Sequence, residues 1–136
     1  MKKKGFTLIE LVVVMAIIAI LSVIIVGAIL AARTAATNTQ RTGAVRTIET
    51  ALESRASRCN GMYFAAIAGR PACTAIATTS LTDLITSLKG TTPAYLTQDV
   101  TLDQPSAFTL TADSSANTYV IVANDNNAQE LYSARR

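Results

Sequence analysis

Few side chains in this sequence are suited to covalent or acid–base chemistry. Histidine and tryptophan are absent, the cysteines are Cys59 and Cys73, and the nine carboxylates are scattered. Without histidine, serine and cysteine nucleophiles lose their usual base, and most zinc sites lose a ligand type. Two thiols are too few for a structural zinc site. No pair of acids falls in a recognisable catalytic motif. The run "NDNNAQE" has the composition of a calcium loop but lacks the spaced ligands and glycine of one, and reads better as a polar turn. No catalytic, cofactor-binding or metal-binding residue, and no cofactor, is expected. One carboxylate stands apart. Glu10 sits at the head of an apolar run that continues to Ala32.

That run sets the architecture. Residues 11–32 carry no charge and are nearly all apolar. As a helix they span about 33 Å, against a hydrocarbon core of roughly 30 Å. Lys2, Lys3 and Lys4 precede them, so the positive-inside rule keeps the N-terminus cytoplasmic and exports the rest. The run is too long, and its positive region too short, for an ordinary secretory signal. A plain single-pass anchor has no use for Glu10, because a carboxylate in the membrane costs about 2.5–3.5 kcal/mol at a helix centre and less near an end. An assembling anchor has one, if a partner supplies a positive charge.

The formal charge of +3 rests on those same lysines. Without residues 1–5 the basic and acidic side chains balance, so the basic character is no nucleic-acid footprint. What remains is polarised. Residues 33–58 hold Arg33, Arg41, Arg46, Arg55 and Arg58 against Glu49 and Glu53, whereas residues 71–136 are mostly acidic. A basic stalk and an acidic head either attract each other between copies or carry ordinary solvated charge.

The stretch "KGFTLIEL", followed by a long apolar helix, closely resembles the N-terminus of type IV pilins and the related pseudopilins. The resemblance implies that a prepilin peptidase cuts between Gly5 and Phe6 and that Phe6 becomes N-methylated. It also implies that Glu10 pairs with the N-terminal amine of a neighbouring subunit. On this reading the charge is unsatisfied in the lone membrane subunit and satisfied in the polymer. Many pilins carry a helix-breaking proline in this part of the helix. Here Gly27 stands in the run, beside Ser22 and the β-branched residues Val23, Ile24, Ile25 and Val26, which makes this the softest part of the anchor.

Beyond residue 33 the pattern becomes amphipathic. Val45, Ile48 and Leu52 recur at helical spacing with Ala44, Ala51 and Ala56 beside them, and Arg, Glu and Thr are expected on the other faces. Gly43 is expected to interrupt the apolar face. No proline intervenes between residues 6 and 70, so one helix can run about fifty residues, ending at Asn60-Gly61. Cys59 and Cys73 lie on the exported side, where disulfides persist. A bond closing a loop of about fifteen residues adds about 3 kcal/mol by chain entropy. Free thiols or an intermolecular bond are the alternatives.

"SLTDLITSLKG" predicts a short helix, capped by Ser80 and Asp83 and stopped by Gly90. After Pro93 the period falls to two in "AYLTQDVTL", "AFTLTA" and "TYVIVAN". Three or four antiparallel strands are expected to bury Phe108, Leu110, Val120 and Val122 against Val45, Ile48 and Leu52. The fold class is thus α+β, a long helix on a small antiparallel head, as in the pilin fold. Its expected parts are a leader (1–5), an assembly helix (6–32), an amphipathic stalk (33–58), a loop region with a short helix and disulfide (59–92), and a sheet with a C-terminal tail (93–136).

The leading reading is a structural subunit of a type IV pilus-like filament, a homopolymer extracted from the inner membrane to the cell surface. By resemblance, a platform membrane protein and an assembly ATPase are its partners, and adhesion, twitching motility or DNA uptake its roles. The nearest rival is a pseudopilin of a type II secretion system, from which the cysteine pair and the lack of a calcium loop lean away. A membrane-anchored exported enzyme or binding module is the rival from another class.

Overall fold

The computed structural model describes residues 5–76, 78–92 and 94–136. The leader lysines and Pro93 fall outside the described residues. Helix α1 runs from Leu8 to Arg58, 51 residues. Its ends follow local rules. Glu10 lies in the first turn, and Arg55 and Arg58 in the last, each sign matching the helix dipole. At the C-terminus Asn60 and Gly61 take the left-handed conformation, with φ of 54° and 83°. Gly61 N–H then reaches back to the Ala56 carbonyl at 2.8 Å, which satisfies a carbonyl the helix leaves open. Asn and Gly are the residues that reach this region at low cost.

The chain divides into two units, residues up to Ala36 and Thr37–Arg136. In the first unit every described residue is exposed. Its part of α1 is long and apolar enough to cross a membrane. The helix is unbroken at Gly27, and a Cβ there would meet no other group within 4 Å.

In the second unit the last part of α1 packs on a small head. Helix α2 spans Leu81–Gly90. A short 3-10 turn, Pro105–Ala107, leads into strand β1 (Phe108–Asp113), followed by β2 (Thr118–Asn124) and β3 (Glu130–Arg135). The sheet is antiparallel in the order β1-β2-β3. Its core joins Val45, Ile48 and Leu52 of α1 to Leu84 and Leu88 of α2 and Ile121 of β2, all fully buried. Each such side chain contributes about 1.5–3 kcal/mol over leaving it in water. Ser80 caps α2 as expected, accepting from Asp83 N–H at 3.1 Å. Gly90, by contrast, is not a left-handed stop. It is the last helical residue, and the Thr91 hydroxyl closes the end on the Leu88 carbonyl at 3.0 Å.

Several expectations are corrected here. Val120 and Val122 do not face the core; Tyr119, Ile121 and Ala123 do. The register sets this. Phe108 lies opposite Ala123, Leu110 opposite Ile121 and Ala112 opposite Tyr119, and opposed residues share a face. A run apolar on both faces does not reveal its phase, and a slip of one residue inverts it. The segment 94–102 forms no strand. Leu96 is buried and Val100 and Leu102 half-buried, so the period-two pattern reports a covering segment without a strand partner. Tyr95 and Leu96 N–H both bond to the Leu88 carbonyl instead. The third strand is β3, in the part expected as a tail. Its pairing with β2 carries a bulge between Ala123 and Asn124.

On α1, Gly43 is exposed and does not interrupt the buried face. Nor do all the arginines point outward, for Arg41 and Arg55 are 1% and 0% exposed. They extend the buried stripe at both ends, in alternating steps of four and three with Val45, Ile48, Leu52 and Cys59.

Candidate assembly site

Gly5, Phe6 and Thr7 are non-helical and exposed, and Phe6 retains 82% of its accessible surface. The Gly5–Phe6 bond thus lies in open irregular backbone, one residue ahead of the helix cap. Thr7 is that cap. Its N–H and its hydroxyl both donate to Glu10 Oε2 at 2.8 Å, and Glu10 N–H points back to Thr7 Oγ1 at 3.4 Å. This is a reciprocal capping box, T-x-x-E, which satisfies donors that every helix start leaves open. Glu10 is therefore hydrogen-bonded within the lone subunit, by neutral donors that supply no countercharge. The carboxylate has a partner three residues away. The local signal for the box is the string "TLIE", a threonine three residues before a glutamate.

Beyond this turn the apolar helix handles its polar groups in the same local way. Ser22 Oγ donates to the Ile18 carbonyl at 2.7 Å, and Thr34 Oγ1 to the Leu30 carbonyl at 3.2 Å. The hydroxyls stay on their own helix. The outer surface is left to side chains such as Leu21, Ile24 and Leu30, each more than half exposed. Such a surface requires lipid or another apolar helix as its neighbour.

The second unit uses its buried charges differently. Arg41 places Nη2 2.7 Å from Asp103 Oδ2, its Nε 3.1 Å from both carboxylate oxygens, and Nη1 2.9 Å from the Asn124 carbonyl. The guanidinium holds the Asp103 carboxyl below the usual carboxylate range, and Asp103 in turn raises Arg41. This pair ties the stalk to the turn before β1 and to the end of β2. Arg55 has no carboxylate partner. Its Nη1 and Nη2 donate to the carbonyls of Met62, Ala65 and Thr74 at 2.7, 3.0 and 2.6 Å, and burial lowers its pKa. Cys59 and Cys73 are joined by a disulfide, with Cα atoms 5.7 Å apart.

Glu53 gathers a third cluster. Arg136 Nε donates to its Oε1 at 2.9 Å and the Tyr63 hydroxyl at 3.2 Å. Glu53 and Arg136 pair a stalk acid with a C-terminal base, whereas Arg41 and Asp103 pair a stalk base with a head acid, all within one chain. Among the described residues no three His, Cys, Asp or Glu side chains gather to hold a metal. The Asp125 carboxylate is turned onto its own loop, accepting from Asn127 and Gln129 N–H at 2.8 Å each.

Comparison with known families bears on the first of these places. Residues 1–26 match the family described as the prokaryotic N-terminal methylation motif. The chain carries a type IV pilin-like prepilin signal. That signal covers the Gly5–Phe6 bond, the Thr7–Glu10 box and most of the apolar run. It supports a type IV pilin-like or pseudopilin reading of the chain and points towards a structural role. A prepilin signal also implies processing by prepilin peptidase and filament assembly, and fits a membrane-anchored precursor. No curated protein and no solved structure matches the chain. The head, with its buried arginines, lies outside the matched residues.

Proposed function

We propose that the chain is the structural subunit of a type IV pilus-like filament. The observation that carries this reading is the prepilin signal over residues 1–26 together with the uncharged helical run 11–32, every residue of which is exposed. Prepilin peptidase cuts between Gly5 and Phe6, and Phe6 is N-methylated. The subunit then waits in the inner membrane with its head exported. A platform protein and a cytoplasmic ATPase drive its extraction, and neighbouring helices replace lipid around residues 11–32. Glu10 exchanges its bond to Thr7 for the amine of a neighbouring Phe6. The Thr7–Glu10 box supports this order of events, because it keeps the carboxylate occupied until a stronger, charge-assisted donor arrives.

The test is intact-mass measurement of the native subunit, with electron microscopy of surface fibres. A chain starting at Phe6 with one added methyl, recovered from fibres, is the expected result. A mature chain starting near Ala31 supports an ordinary secretory signal and overturns the reading. Correct processing without surface fibres, alongside a defect in protein secretion on deletion, assigns the chain to a type II secretion system instead. Gly5→Leu is expected to leave full-length precursor in the membrane.

A further inference from the structure

Arg55, in the last turn of α1, is a buried side chain that the assembly reading does not use. It is fully buried, carries a charge with no carboxylate partner, and leaves its Nε without any partner. Bringing a guanidinium into such a place is costly, and replacing buried ions by apolar groups often stabilises a protein. The position of its acceptors suggests what the charge does. Met62 and Ala65 lie on the arm that leaves Cys59, and Thr74 follows Cys73 on the returning arm. One planar fork therefore holds both arms of the loop that the disulfide closes. Tyr95 adds a second pin. Its hydroxyl donates to the Ala72 carbonyl at 3.0 Å and lies 3.5 Å from Cys59 Sγ. Backbone bonds between the arms complete the frame, from Ile67 N–H to the Cys73 carbonyl at 2.9 Å and from Ile76 N–H to the Phe64 carbonyl at 3.0 Å.

None of these bonds involves covalent closure. We infer that Arg55 is a positioning residue for oxidation of the loop: its grip on both arms holds the Cys59 and Cys73 thiols within bonding reach before the disulfide exists. The reaction is ordinary thiol–disulfide exchange. One thiolate attacks the disulfide of an oxidant such as oxidised glutathione and expels one glutathione thiolate. The second thiolate then attacks the mixed disulfide and expels the other. Two protein thiols lose two electrons and two protons, and the glutathione disulfide becomes two thiols. What the protein contributes is the effective concentration of the second thiol, and ordering the loop raises it. The inference does not depend on filament assembly.

The experiment measures the equilibrium of the full-length chain in detergent against glutathione redox buffers. Arg55→Met keeps the stem and removes the fork. Its disulfide is expected to be at least tenfold easier to reduce, about 30 mV for a two-electron couple. Arg55→Lys keeps the charge without the fork and is expected to recover only part of the loss. Ile48→Val trims one methylene from the core that Ile48 shares with Phe64 and Ile76, removes none of the hydrogen bonds that hold the arms, and is expected to leave the equilibrium within about twofold of wild type. A folded Arg55→Met chain with the wild-type equilibrium overturns the inference. Hydrogen exchange of the Cys59→Ser/Cys73→Ser chain is a second measurement that needs no change at Arg55. The Ile67 and Ile76 amides are expected to stay protected there. Their exchange at the rate of open loops means that the disulfide, not Arg55, orders the arms, and that also overturns it.

Discussion

One helix passes through two unlike environments. In the first unit the described residues are all exposed, and polar side chains of the apolar run are satisfied within a turn: Glu10 by Thr7, Ser22 by Ile18. In the second unit the same helix satisfies its charges at long range. Arg41 bonds to Asp103, 62 residues away, and to Asn124, 83 residues away. The difference is one of purpose. On the filament reading proposed above, a segment that leaves lipid for the company of other chains cannot depend on a fixed tertiary partner, which fits the local closure of its polar side chains. A segment that anchors a head can, and its buried arginines bind the loops and strand ends that surround it.

The sharpest way to break this comparison is at Glu10, the carboxylate of the first unit. Glu10→Val removes a carboxylate that is costly in the membrane, so insertion is expected to be unharmed or improved. Fibre yield, scored by electron microscopy against total subunit, is expected to fall to near zero. Normal yield would remove Glu10 from the mechanism.

Like substitutions in the two halves of α1 come next. Leu52→Ala opens a cavity in the head and is expected to cost about 2–5 kcal/mol in denaturant unfolding. Leu21→Ala, on the exposed run, is expected to leave the unfolding midpoint of the head unchanged. Equal losses would mean that the two units are not energetically separate.

Asp103→Asn leaves Arg41 buried without its counter-charge, at an expected cost of about 1.5–3 kcal/mol. The same pair has a pH signature. The folded pKa of Asp103 lies below its unfolded value of about 3.9, so its stabilisation is complete above that value. It is lost as pH falls through the lower, folded pKa. The wild-type chain is therefore expected to lose more stability than Asp103→Asn when unfolding is followed from pH 5 downward. Parallel curves would deny the pair its role.

Gly27→Ala carries the smallest effect. The added Cβ meets nothing in the lone subunit, and helix propensity favours Ala by about 1 kcal/mol. Amide exchange around residue 27 in micelles is expected to slow slightly. If the segment stretches in the fibre, the same change is expected to lower fibre yield. Unchanged yield favours simple close packing at Gly27.

The parts that depend on local order could be read from the sequence. The apolar run, the stalk stripe around Val45, Ile48 and Leu52, the Asn60-Gly61 stop and the Ser80 cap follow from periodicity and from conformational cost within a few residues. The prepilin signal was equally plain, because it is a contiguous string. The Thr7–Glu10 box is just as local, since "TLIE" carries both of its partners. What the tertiary structure alone decided depends on partners remote in sequence. The face of β2 that turns inward is set by its register with β1, since the valines of "TYVIVAN" are apolar on either side. Strand β3 exists because β2 offers it an edge, and segment 94–102 is no strand because nothing pairs with it. Arg41 and Arg55 continue the buried stripe at its own spacing, yet an arginine can occupy such a position only where acceptors converge on it, a carboxylate and a carbonyl for Arg41 and three carbonyls for Arg55. The folded head brings those groups together from residues 62–74 and 103–124, and no local pattern announces them.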